Sequence, residues 1–117
     1  MNFETAREFC LALPFVTEKV QWDNDLLLCI GGKMFAVLAL EAPATHRLSF
    51  KCTPEEFAEL VERDGIDPAP YVARYHWVTL QRWGVLTETE LKGLLQNSYE
   101  MVKAKLPKKV LAGLGSV

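Results

Sequence analysis

Nothing in this 117-residue chain approaches the roughly 20 consecutive apolar residues that a bilayer span requires. Its opening, Met1-Asn-Phe-Glu-Thr5, has neither the basic nor the apolar region of a secretory signal. The expected setting is therefore the cytoplasm, with no membrane partner. Cysteines number three, Cys10, Cys29 and Cys52, scattered and odd in count. With no Cys-x-x-Cys and no Cys/His pair at ligand spacing, they predict neither a disulfide framework nor a zinc site, and read as buried, reduced thiols. Only two histidines are present, His46 and His76, and no Ser/His/Asp arrangement with supporting motifs accompanies them. Gly-x-Gly-x-x-Gly and phosphate-loop motifs are missing too. The expectation is a protein that is not an enzyme and carries no cofactor or metal. The formal net charge is −2, so the chain is no polycation. Any nucleic-acid binding has to come from a local patch and be weak and salt-sensitive.

What is present suits one globular domain over residues 1–117. Half the residues are hydrophobic and 24% are charged, and this length buries a core without disulfides or metal. Asn2 is placed to cap a helix running to about Leu13, with Phe3, Ala6, Cys10 and Leu13 near one face and Pro14 ending it. A strand is expected over 18–22, then a turn at Asn24-Asp25. Two apolar runs, 26–30 and 33–40, flank Gly31-Gly32, a strong hairpin signal because both glycines tolerate positive φ. Residues 46–52 alternate: Leu48, Phe50 and Cys52 face one way, Arg47, Ser49 and Lys51 the other.

Thr53-Pro-Glu-Glu56 combines a Thr cap, Pro at the first helical position and Glu at the third, and opens a helix to about Asp64, which Gly65 ends. After the rigid Pro68-Ala-Pro70 comes a strand over 76–82. Thr87-Glu-Thr-Glu90 repeats the capping pattern and opens a last helix, stopped by Pro107. The order α-β-β-β-β-α-β-α predicts an α+β two-layer sandwich: an antiparallel sheet with helices on one face and the other face open.

Five segments carry a resemblance: Cys10-Leu-Ala-Leu-Pro14, Gly31-Gly-Lys-Met-Phe-Ala36, Leu48-Ser-Phe-Lys-Cys52, Arg74-Tyr-His-Trp77 and the run from Ser98 to Lys109. In these, in order over nearly the whole chain, the sequence resembles the MmcQ/YjbR family of small bacterial proteins. The resemblance implies a frataxin-like architecture and DNA binding through a "double wing" of sheet and hairpins. It implies no catalytic residue set.

The strongest candidates for contact with phosphates are the lysines of the basic end, Lys103, Lys105, Lys108 and Lys109; the last three lie inside the matched motif. Cations at a helix C-terminus are also favoured by the macrodipole alone, by about 0.3–1 kcal/mol each. Arg74, Tyr75, His76 and Trp77 form a cluster of cation and rings suited to phosphate contact and base stacking. Alternation puts His76 and Trp77 on opposite faces, so that at most one of them joins the core. Arg47 and Lys51, on the polar face of one strand, can follow a phosphate backbone or simply be solvated. Lys33 sits just past the hairpin turn, where it can contact DNA or blunt a sheet edge. Cys52 precedes a helix cap that would activate its thiol, whereas its alternation with Leu48 and Phe50 argues for burial. Glu55, Glu56, Glu59 and Glu62 resemble an acidic metal ridge, but two of them are explained by capping.

The expectation is a monomeric DNA-binding protein that touches phosphates through a basic patch on the open sheet face and the C-terminal lysines. The alternative is a module for an acidic protein or a small anionic ligand. A compact pocket flanked by Arg74, His76 and Lys105 would favour that alternative, and a basic stripe wide enough for a duplex would favour DNA.

Overall fold

The computed structural model describes residues 1–22, 24–41, 46–70 and 72–114. Helix α1 (Phe3–Leu11) starts from a reciprocal cap in which the Asn2 side chain accepts from Thr5 N and the Thr5 hydroxyl answers. Phe15, at φ 64°, turns the chain into β1 (Val16–Gln21), which begins two residues earlier than the sequence suggests. β1 pairs with β2 (Asp25–Ile30), and Gly31-Gly32 joins β2 to β3 (Lys33–Ala39). Both glycines have positive φ, 59° and 82°, as a two-residue hairpin turn demands.

Strand β4 (Leu48–Lys51) leads into α2 (Pro54–Leu60), whose Thr53/Glu56 capping box forms as its sequence dictates. Two elements were not legible in the sequence between α2 and the last helix. One is the three-residue strand β5 (Ile66–Pro68), where Pro68 is tolerated because β5 is an edge strand. The other is a single 3₁₀ turn, Ala73–Tyr75. Strand β6 runs from Trp77 to Leu80, starting one residue late because His76 takes a left-handed conformation (φ 64°) that a strand cannot include, and ending two residues early.

Helix α3 (Glu88–Ala104) opens on the Thr87/Glu90 box. The chain then does not trail off as a basic tail. Pro107 ends α3, and its carbonyl accepts from Leu111 N to start α4 (Lys108–Leu114), whose Val110, Leu111 and Leu114 pack on the core. The observed order is thus α-β-β-β-β-α-β-β-α-α. The class is as expected: α+β, with one antiparallel sheet of order β1-β2-β3-β4-β6-β5.

Register explains the two faces. Leu28 pairs with Ala36, Ala36 with Phe50, and Phe50 with Val78, while Leu26, Leu38, Leu48, Leu80 and Ile66 form the neighbouring row. All are buried beneath Ala6 and Cys10 of α1, Leu60 of α2 and Leu91, Leu95 and Tyr99 of α3. A bulge opposite Leu28/Cys29 swings Phe35 toward α3, where its ring meets Tyr99 edge-on at 5.5 Å. The buried Ser98 hydroxyl fills the resulting gap in the ladder, donating to Phe35 O (2.6 Å) and accepting from Lys51 N (3.1 Å). Tyr99 OH donates to Pro14 O at 2.7 Å, tying α3 to the α1–β1 corner.

Candidate nucleic-acid interface

The antiparallel register sends the start of β3, the end of β4 and the start of β6 to one end of the sheet. Lys33 stands there at the hairpin, Lys51 at the end of β4, and Arg74 and Tyr75 in the 3₁₀ turn that feeds β6. The α3–α4 corner docks on the same end: Leu106 and Val110 lie directly over Gly31. That contact brings Lys105 within electrostatic reach of Lys51 and sets α4, which carries Lys108 and Lys109, against the hairpin turn that precedes Lys33. The Lys51 ammonium donates to Tyr75 O at 2.7 Å. Burial first, and the charge of Lys105 next, lower its pKa below the ordinary lysine value. The Arg74 guanidinium lies 4.9 Å from the centre of the half-exposed Tyr75 ring.

Six cations from five separate segments therefore share one corner. None of them is in an ion pair among the described residues, whose four ion pairs engage Arg7, Arg63, Arg82 and Lys92 instead. Helix α2, with Glu55 and Glu56 in its first turn, begins three residues after Lys51.

The other sequence candidates are placed differently. Arg47 precedes β4 and Lys51 is its last residue, so only Lys51 joins the cationic corner. The His76 ring packs edge-on against Phe57 of α2 at 5.8 Å, and its carbonyl accepts from Cys52 N. Trp77 is on the sheet face away from the helices yet is only 5% exposed, so it offers no stacking platform; Tyr75, 50% exposed, does. Lys103 lies over the Tyr99 ring at 5.7 Å. Cys52 is buried, its Sγ 3.3 Å from His76 O, and burial foremost, with Glu56 adding, pushes its pKa up to about 12. The helix cap next to it does not activate it.

The sheet face turned away from the helices is apolar rather than basic. Leu27, Cys29, Thr79 and Trp77 are buried on it, and a cavity of about 660 Å³ lies along it between Trp22 and Trp77. Sequence reasoning missed this groove because Trp22, Met34 and Pro70 are far apart in the chain. The acidic side chains of α2 gather no metal-binding group: among the described residues no cluster of three or more His, Cys, Asp or Glu is placed to hold an ion. Nor is any described helix long and apolar enough to cross a membrane.

The YjbR family model matches residues 11–101, from the end of α1 through most of α3. The chain belongs to the YjbR family. A crystal structure of the Deinococcus radiodurans protein DR2400, a DUF419 domain, superposes with a TM-score of 0.84 at 29% identity, covering 97% of this chain and 88% of that one. A Pseudomonas syringae protein shares the fold at 19% identity, with a TM-score of 0.71 over 86% of this chain and 98% of that one. No curated protein matches the sequence. In this YjbR-family chain the matched region spans Lys33, Lys51 and Arg74, whereas Lys105, Lys108 and Lys109 lie beyond it. The α4 half of the cationic corner is thus outside the part of the chain that the family model matches.

Proposed function

We propose that this YjbR-family protein is a non-enzymatic nucleic-acid-binding module that grips the phosphate backbone with its cationic corner. One observation carries the reading: Lys33, Lys51, Arg74, Lys105, Lys108 and Lys109 converge from distant points in the sequence without carboxylate partners among the described residues. They come from the ends of β3, β4 and β6 and from α4, several elements rather than one loop. Cations contributed by so many elements support a polymeric polyanion over a small anionic metabolite. Lysine ammonium groups act as point charges, so the contact would set position on the backbone and read no sequence. Tyr75 beside Arg74 adds a stacking surface for a frayed or single-stranded base. The acidic first turn of α2 would steer the polyanion to the α4 side of the corner.

Fluorescence anisotropy with labelled duplex and single-stranded DNA, at low and near-physiological salt, tests this. About five phosphate contacts give a log–log salt slope near −4 to −5 on duplex. The double variant K108E/K109E should weaken binding to all sequences alike. Absence of saturable binding at low salt overturns the reading, and unchanged binding by the double variant removes α4 from the contact.

A further inference from the structure

The groove on the sheet face turned away from the helices has a chemistry opposite to that of the cationic corner. The β1–β2 turn brings Trp22 and Asp25 to the same cavity, and Leu40 N fastens that turn to the end of β3 by donating to Asn24 O at 2.8 Å. From there the cavity passes Val37, whose partner on β2 is Leu27, and reaches Met34 and Trp77. Its volume, about 660 Å³, lies in the range of small-molecule sites.

Among the described residues that line the cavity, Asp25 is the only carboxylate. Its side chain has no hydrogen-bond or ion-pair partner among the described residues, and burial raises its pKa with no neighbouring charge to offset the effect. A carboxyl whose folded pKa lies above its unfolded value detracts from stability once the pH is above both. At neutral pH the bare Asp25 is therefore a cost to the fold that a bound cation would remove.

Two further observations point the same way. Ser49 Oγ donates to Thr79 Oγ1 at 2.9 Å, and the Thr79 hydroxyl donates onward to Leu48 O at 3.4 Å, so the Ser49 oxygen is left to the groove as an acceptor. Asp25 and Ser49 thus call for a ligand that donates; His46, the remaining polar lining residue, is exposed. Trp22 is 59% exposed and holds φ 56°, a left-handed conformation that a bulky residue adopts at a cost. Core packing does not account for it, since Trp22 is no part of the buried cluster. An open indole face beside an unpaired carboxylate attracts a cation from two sides.

We propose that this groove binds an organic amine, a primary ammonium carried on a flat apolar body. The ammonium pairs with Asp25 against the Trp22 ring, and the body lies over Val37 toward Met34 and Trp77. A neutral apolar molecule leaves the Asp25 carboxylate bare, and an anion is set directly against it.

Protein-observed ¹H–¹⁵N NMR at pH 7 with tryptamine, indole and 3-indolepropionate as probes tests the assignment. Saturable shifts at Asp25, Val37 and the Trp22 and Trp77 indoles are expected for tryptamine, with indole about tenfold weaker and 3-indolepropionate weaker still. D25N should bring tryptamine down to the level of indole and leave indole unchanged. Indole binding the unmodified protein as tightly as tryptamine overturns the proposal, as does no response to tryptamine at millimolar concentration. A folded D25N that keeps the preference for tryptamine overturns it too. The analogue series on the unmodified protein decides even where D25N fails to fold.

Discussion

Gly31 lies beneath Leu106 so closely that a Cβ at this position would stand 2.7 Å from Leu106 Cδ1 and 2.9 Å from Val110 Cγ1. The same residue has φ 59°, so one glycine serves both the hairpin turn and the seat of the α3–α4 corner. Gly32, at φ 82°, has open space around it.

Replacing these two glycines by alanine should separate the two roles. G32A should cost only the left-handed backbone penalty, about 1–2 kcal/mol. G31A adds a clash with a branched core side chain and should cost clearly more, by a further 1–3 kcal/mol or so. Urea unfolding monitored by tryptophan fluorescence measures both. Equal costs would mean that α4 yields freely, and with it the placement of Lys108 and Lys109.

Removing the Ser98 hydroxyl leaves Phe35 O and Lys51 N facing each other across the bulge with nothing between them. S98A should destabilise by about 1–3 kcal/mol, the cost of buried groups left unsatisfied. Hydrogen exchange at the Lys51 amide should rise with it. An unchanged exchange rate would show that the ladder closes directly without the serine.

The three thiols should be inert in the native protein. Cys10, Cys29 and Cys52 are buried, and burial drives Cys10 and Cys52 to about 12, far above any thiolate population at pH 8. Mass spectrometry after iodoacetamide at pH 8 should find no adduct on Cys10 or Cys52 in the native state and full modification in denaturant. Rapid native labelling of Cys52 would restore the activated-thiol reading that its helix cap invited.

Acid should weaken the tie between α2 and α3 through Glu90. The Arg63 guanidinium, 2.9 Å away, and then the Thr87 amide hold the Glu90 carboxyl at about 2. A carboxyl whose folded pKa lies below its unfolded value contributes stability above the unfolded pKa and loses it as pH falls toward the folded one. The contribution should therefore be full above about pH 5 and fade between roughly pH 4.5 and 2, the window set by those two values. It should be small, because the pair is exposed. Urea midpoints of the parent and E90Q, compared from pH 7 to pH 2, should differ at neutral pH and converge in acid. A difference that persists at pH 2 would assign the effect to packing or capping instead.

The local elements were written in nearest-neighbour chemistry. Thr53-Pro-Glu-Glu56 and Thr87-Glu-Thr-Glu90 each satisfy their own helix ends, Gly31-Gly32 can bend only as a hairpin, and 48–51 alternates with the pleat, so these could be read without a fold. The family resemblance was legible partly for the same reason, since two of its five motifs, Gly31–Ala36 and Leu48–Cys52, are the hairpin turn and the alternating strand. Strand β5 was not, because three residues ending in proline have no strand signal of their own and form only by pairing with β6. Helix α4 was hidden by its lysines, since Val110, Leu111 and Leu114 become an apolar face only once there is a core to cover. Tertiary structure alone decided which charges meet. Lys33 and Lys105 come together because the antiparallel register and the fit of Leu106 over Gly31 close a loop of some seventy residues. Asp25, Ala39 and Arg47 stand in one row only because three strands align there. Charge composition set the number of cations and anions; packing of the apolar residues, which dominates the free energy, set where they stand.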